Sequence, residues 1–343
     1  MNEYLYIKNV GPLKEAEIDI KKINVFIGEN GTGKSIAAKL LQIKRENEGF
    51  EDYGLKEFIK ENSLLEYKTD RKDNNKKLLD IFEEVIKELK KDGMNKVLKG
   101  SISDELQELL EVMFIRKNSY YIPVERSLVP FFSSYGINLM SSKIPLPQYV
   151  SEFATEFRLA KDKIKEKYIL GVVYKFENEE DKIFIGDNVI TLKNASSGIQ
   201  TILPLYLTVD YLNMKSKKNY ILEEPELNLF PKEQFEIVKF MIENSDSVLF
   251  VTHSPYVLYA LNILLFAYKV GNLSNKIADE VNKIVDRKYW INPKEFSAYY
   301  FENGEVKSFF NGSLLDDNLL DDVSSEFEDI FDELKDIYKR AKK

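Results

Sequence analysis

The sequence has no cysteine, a single histidine and a single tryptophan among its 343 residues. Without thiols there is no disulfide framework, no thiolate nucleophile and no Cys-ligated zinc or iron–sulfur centre. One histidine excludes any multi-His metal site and makes the surroundings of His253 informative. Long apolar runs are missing as well. The longest, from Tyr256 to Val270, carries Asn262 and Lys269 and falls short of the ~20 apolar residues a bilayer span needs, so it reads as a buried helix. Nor is positive charge in excess. The 49 Lys+Arg against 57 Asp+Glu leave a net charge of -8, which argues against a surface that coats nucleic acid or anionic membrane non-specifically. The opening MNEYLYIKNVGPLKEAEIDI is strand-like and charged, with no signal-peptide core, so a cytoplasmic location without a membrane partner is expected.

What the chain does have is apolar mass. Hydrophobic residues at 44% and aromatics at 13% exclude a disordered or fibrous chain and suffice for one large or two modest cores. Residues 4–27 alternate apolar and polar, with Gly11-Pro12 between the first two runs, and read as a meander of three strands. From about Arg45 to Lys117, apolar residues recur at helical spacing (LLDIFEEVIKEL, ISDELQELLEVMFI) among dense mixed charge, with Ser101 and Asp104 as a capping box. SYYIPV at 119–124 is a strand, and a helical run extends to Lys167. Residues 171–192 read as a hairpin or three-stranded unit turning at Asn178 and at Gly186 to Asn188. Then come a polar turn opening an apolar helix, the buried strand YILEE (220–224), a helix starting at Pro231, and the buried strand SVLFVTHS (247–254). Asn303-Gly304 marks a type I′ hairpin, and a charged final helix follows. Helices alternating with apolar strands predict an α/β fold with a largely parallel core sheet.

Four strings carry chemistry. Gly28-Glu29-Asn30-Gly31-Thr32-Gly33-Lys34-Ser35 fits the P-loop pattern between a strand and a helix. Its backbone N–H groups form an anion nest at a helix N-terminus, Lys34 reaches the β- and γ-phosphates of a nucleotide, and the Ser35 hydroxyl ligates Mg²⁺. Glu223 and Glu224 end an apolar strand, which suits Glu223 to a metal contact and Glu224 to a catalytic base that orients water. His253 ends a second buried strand, where open α/β sheets bind ligands, and can donate to a γ-phosphate oxygen. Ser196, Ser197 and Gly198 begin a helix and offer a second anion site.

Taken in this order, GENGTGKS, SSGIQ, ILEEPELNLFP and VTHSP resemble the ABC-type ATPase heads of the RecF, SMC and overcoming-lysogenization-defect (OLD) group, particularly the OLD-like AAA ATPases. The resemblance implies a P-loop NTPase with an ABC-type head, comprising a mixed N-terminal β-subdomain and a largely parallel sheet. It divides the chain into a core at 1–44 and 118–270, a helical insert at 45–117, and a C-terminal hairpin and helical extension at 271–343. It also implies ATP and Mg²⁺ as ligands. Ser196 and Gly198 would cap ATP held by the P-loop of a second subunit, and Asn228 would lie in the loop between the two sites. The sequence departs from the family in three places. Glu-Glu stands where Asp-Glu is usual, Phe230 stands where relatives carry His, and the expected glutamine-loop position, YYIPVERS with Glu125 and Arg126, has no Gln, while Gln42 lies within a helix.

The function so implied is an ATP-dependent switch that dimerises and controls a separate effector such as a nuclease, in anti-phage defence or DNA maintenance. The alternatives are a self-contained OLD-type nuclease and an ABC transporter's ATP subunit. Asp316-Asp317 and Asp321-Asp322 read as solvated charge rather than as a nuclease site, and the basic run Arg71 to Lys77 leaves direct nucleic-acid contact open.

Overall fold

Strands with no exposed face organise the molecule. The computed structural model describes residues 3–69, 117–134 and 146–315. β1 (Glu3–Val10) and β2 (Leu13–Ile20) pair antiparallel across Gly11-Pro12, with Ile7 opposite Ala16. β3 (Ile23–Gly28) is buried along its whole length and feeds α1 (Lys34–Glu46). β4 (Ile59–Thr69) follows, then β5 (Ser119–Ile122), a 3-10 segment at Val124–Leu128, α2 (Val129–Ser134) and α3 (Gln148–Lys163). β6 (Glu166–Ile169), β7 (Val172–Glu177), β8 (Glu180–Ile185) and β9 (Asn188–Thr191) form a separate antiparallel sheet in that order. The chain continues through α4 (Ser197–Leu212), β10 (Lys218–Glu223), α5 (Pro231–Asn244), β11 (Ser245–Val251), α6 (Pro255–Gly271), α7 (Asn275–Asn282), β12 (Phe296–Glu302) and β13 (Glu305–Ser308).

The main sheet has nine strands in the order β4-β1-β2-β13-β12-β3-β11-β10-β5. Its half from β12 to β5 is parallel throughout, and that is the half covered on both faces. On one side Ile23, Val25, Tyr220, Leu222, Val248 and Phe250 join a core with α4, α5 and α6. On the other side Phe26, Ile221, Leu249 and Val251 pack with Ala37, Leu40 and Leu41 of α1. Burial on both faces explains why these strands read as continuous apolar runs. The expected α/β class and largely parallel core sheet are the observed ones.

Several expectations are corrected. The first three strands are not a meander, because the β12–β13 hairpin inserts between β2 and β3. Its two-residue turn is the expected one, with Asn303 and Gly304 both at positive φ. This hairpin, expected in a C-terminal extension, therefore sits inside the main sheet. Asn24 fixes the insertion. Its amide donates to the Val248 carbonyl at 3.1 Å while its Oδ1 accepts from Ser297 at 2.7 Å, tying β3 to both neighbours.

The segment 45–117 is not helical at its start, since Ile59–Thr69 is a strand paired antiparallel with β1. Tyr67 of that strand donates to Glu3 at 2.9 Å, and Glu3 accepts from Arg45 at 2.8 Å in a buried ion pair. Losing one partner of such a pair strands a charge at a cost of ~3–5 kcal/mol, so β4, β1 and α1 are held as a unit. The helical run expected to reach Lys167 stops at Lys163, and Glu166 begins a strand. The run from Tyr256 to Val270 is helical but only half buried: Leu258, Leu261 and Leu265 face the core, whereas Tyr256, Ile263 and Phe266 are exposed. Among the described residues no helix is long and apolar enough to cross a membrane. The two expected insert helices with Ser101 and Asp104, the run Arg71 to Lys77, the acidic pairs at 316–317 and 321–322, and the charged final helix lie outside the described residues.

Candidate active site

The P-loop leaves the end of β3 at Gly28, where an added Cβ would lie 2.2 Å from the Phe301 carbonyl oxygen of β12. Glycine is needed there because a neighbouring backbone passes so close. The loop then curls back over its own lysine. The Lys34 ammonium donates to the Gly28 carbonyl at 2.7 Å and to the Glu29 carbonyl at 2.6 Å, and Thr32 Oγ1 closes the turn on the Glu29 carbonyl at 2.8 Å. Burial pushes the Lys34 amine down to about 8, against the pull of the carboxylates of Glu224, Glu226, Glu223 and Glu29. Glu29, Asn30 and Gly31 are exposed, and Ser35 is half-buried at the second position of α1.

Glu223 closes β10 as a buried carboxylate, and Glu224 follows in the left-handed region at φ 43°. The Glu224 N–H still donates to the Val251 carbonyl at 2.8 Å, so the residue is anchored to β11 although it has left the strand. Its Oε1 lies 3.1 Å from Nε2 of His253, the chain's sole histidine. Burial alone would push the Glu224 carboxyl up, but hydrogen bonds from His253 and Glu226 outweigh it and leave the group below its ordinary value.

Glu226 completes a web between the two strand ends. Its Oε1 accepts from the Thr252 hydroxyl at 2.7 Å and from the His253 N–H at 2.8 Å. Burial and the adjacent Glu224 push the Glu226 carboxyl up to about 7. Ser254 extends the web by donating to Gln234 of α5 at 2.6 Å.

The Ser196-Ser197-Gly198 turn is furnished differently. Ser196 is the N-cap of α4, both serines are exposed, and neither hydroxyl makes a hydrogen bond among the described residues. The turn is nevertheless fixed from behind. Gln200 Nε2 donates to the Lys193 and Ala195 carbonyls, each at 2.9 Å, and Asn228 donates to Thr201 Oγ1 at 3.0 Å. A Cβ on Gly198 would lie 3.0 Å from the Asn228 carbonyl, so the two loops are in contact. The structure brings together Lys34, Glu223, Glu224 and His253, and it leaves Ser196 and Ser197 without a hydrogen bond to any of them.

Three residues resolve differently from, or beyond, the sequence reading. Gln42 is a buried brace, donating to the Ser119 carbonyl at 2.8 Å and accepting from the Ser119 hydroxyl at 2.6 Å. Phe230 is exposed at the N-cap of α5, where its backbone alone acts: its N–H donates to Glu233 Oε2 at 2.8 Å and its carbonyl accepts from the Glu233 and Gln234 N–H groups. Glu226 has a role that the motifs do not assign; its place two residues beyond Glu224, just past the end of β10, is the only sequence signal for it.

The loop accommodates a nucleotide phosphate on its own terms. An added Cβ at Gly31 would meet nothing within 4 Å, so the nest opens outward, and the buried Lys34 ammonium lacks a carboxylate hydrogen-bond partner among the described residues. Among the described residues no group of three or more His, Cys, Asp and Glu side chains could hold a metal by itself. A Mg²⁺ ion here would draw on Ser35, Glu223 and the nucleotide's own oxygens, which is how that ion is usually bound.

Residues 51–258 match the family described as the AAA ATPase domain, a span that includes the signature-like turn, Glu223, Glu224 and His253. Three solved structures are similar at low identity. An SMC head bound to the C-winged helix domain of ScpA is 10% identical with a TM-score of 0.45, covering 90% of this chain and 97% of that one. The SMC head domain from Thermotoga maritima is 14% identical with a TM-score of 0.39 and the same 90% and 97% coverage. CbiO1 from Clostridium perfringens, part of the ABC transporter complex CbiONQ, is 14% identical with a TM-score of 0.38, covering 97% of this chain and 94% of that one. No curated protein matches.

Proposed function

Since the chain belongs to the AAA ATPase domain family, we propose that it is a cytoplasmic switch that binds and hydrolyses ATP, closes into a dimer through shared ATP sites, and controls a separate effector. The fold is that of a P-loop NTPase with an ABC-type head. One observation carries the proposal: Lys34, Glu223, Glu224 and His253 meet at one sheet edge, while the exposed Ser196-Ser197 turn has hydroxyls with no hydrogen bond among the described residues.

In this reading the backbone N–H groups of Gly28 to Gly33 and the Lys34 ammonium bind the phosphates, because an anion offsets the burial that now depresses the amine. Mg²⁺ held by Ser35 and Glu223 would supply charge neutralisation on the phosphates. Glu224 acts as the base in this reading, its carboxylate held beside His253 just beyond the end of β10. His253 orients that carboxylate through Nε2 and is placed to donate to a phosphate oxygen. Ser196, Ser197 and Gly198 of a second copy complete the site with α4 N–H groups and hydroxyls.

The resemblance of GENGTGKS, SSGIQ, ILEEPELNLFP and VTHSP to OLD-like ATPases supports an effector encoded apart, such as a nuclease, and a role in anti-phage defence or DNA maintenance. Co-purification with the product of the neighbouring reading frame tests that part. The composite site is tested by turnover. Ser196→Arg and Glu224→Gln are each expected to be inactive alone, and mixing them should restore about a quarter of wild-type turnover through heterodimers with one intact site. Full turnover by Ser196→Arg alone, or turnover per chain independent of protein concentration, would leave a self-sufficient ATPase instead.

A further inference from the structure

Arg126 lies in the 3-10 segment after β5 and has no solvent-exposed surface. Its guanidinium meets carbonyls rather than carboxylates. Nη1 donates to the Pro123 carbonyl at 2.9 Å and to the Glu223 carbonyl at 2.6 Å, and Nη2 donates to the Glu224 carbonyl. Nε has no hydrogen-bond partner among the described residues. A fully buried cation whose hydrogen bonds there all go to main-chain oxygens is costly. That cost is borne at the one place where β10 leaves extended geometry. Glu224, at φ 43°, carries a side chain in a region that residues with a Cβ rarely enter.

We infer that Arg126 is a positioning residue for hydrolysis: its planar fork clamps the consecutive carbonyls of Glu223 and Glu224, holding Glu224 in the left-handed conformation that presents its carboxylate to His253. The geometry fits this role. With the Glu224 N–H tied to Val251 and its carbonyl tied to Arg126, both peptides around the strained residue are fixed, and only the side chain is left to act. A lysine cannot replace the fork, because a single ammonium does not reach two carbonyls with planar geometry. The inference rests on Glu224 being the base, and its test separates the two.

The sole histidine makes the test direct, since its imidazole C–H resonances need no assignment. Glu224→Gln sets the reference for a His253 without its carboxylate partner. Arg126→Lys and Arg126→Ala should keep a cooperative melt, bind a fluorescent ATP analogue within about threefold of wild type, and lose turnover about 100-fold, a kcat effect with little change in KM. Their His253 resonances should move toward the Glu224→Gln position, which a merely structural role would not require. Turnover within threefold of wild type, or lost turnover with His253 resonances unmoved, would overturn the inference. So would failure of both variants to fold, because Arg126 would then belong to the fold rather than to Glu224. If Glu224→Gln itself turns over normally, the base assignment falls, and the resonances still report whether Arg126 holds Glu224.

Discussion

The N-termini of α1 and α4 are built from the same backbone chemistry and furnished in opposite ways. At α1 a glycine loop wraps the helix start, the lysine is buried against loop carbonyls, and four carboxylates act on it. At α4 two serines stand exposed, their hydroxyls without a hydrogen bond among the described residues, and Gln200 and Asn228 hold the turn from behind. In the proposed function the first end grips an anion with groups of its own chain, and the second is offered to a second copy. An identical electrostatic device is thus a site in one place and half of one in the other.

The sharpest way to break this comparison leaves both helix ends intact. Glu224→Gln should lower ATP turnover by about 10³-fold with ATP affinity unchanged, measured by phosphate release, because general-base loss carries ~10²–10⁴ in rate. Lys34→Ala should weaken nucleotide binding by about 100-fold in a calorimetric titration, the equivalent of ~3 kcal/mol for charged hydrogen bonds. Ser196→Arg should leave affinity within about threefold and abolish turnover on its own, because it spoils the groups offered to a second copy's nucleotide rather than contact with the phosphate held by its own loop. Equal affinity loss in the last two variants would erase the distinction between the ends.

The smallest effect concerns Glu226, whose folded carboxyl is raised to about 7 by burial and by Glu224. Between its ordinary value near 4.5 and about 7 the folded state binds the extra proton, so this group's contribution to stability falls as pH rises through that window. Glu226→Gln keeps an oxygen for Thr252 and the His253 N–H without the titration. Its Tm should therefore fall about 2–4 °C less than that of wild type between pH 5 and pH 8, by calorimetry.

Much of this was legible from local pattern. The P-loop announces itself because phosphate chemistry demands glycines, lysine and serine at fixed spacing, and β10 and β11 read as strands because burial on both faces leaves only apolar residues. What was hidden is non-local. Nothing in INVFIG says that residues near 296 rather than β2 will lie beside it. The exposed positions of β4 mask its alternation, which rests on Ile59, Ser63, Leu65 and Tyr67 alone. Arg126 stands out in the sequence only for its place where a glutamine is expected, since arginine is ordinarily a surface residue and its burial depends on carbonyls distant in sequence.

The insertion of β12 and β13 beside β3 also bears on how the molecule is made. Ser297 and Asn24 meet across a separation of 273 positions, so the centre of the sheet cannot close while the ribosome is still extending the intervening chain. Until then β3 shows a bare edge on which Asn24 still lacks its partner Ser297. Contacts of such high order slow folding and leave intermediates open to strand-to-strand association. A nascent chain arrested before Phe296 would therefore carry the P-loop, Glu223, Glu224 and His253, yet be a substrate for chaperones before it could act on ATP.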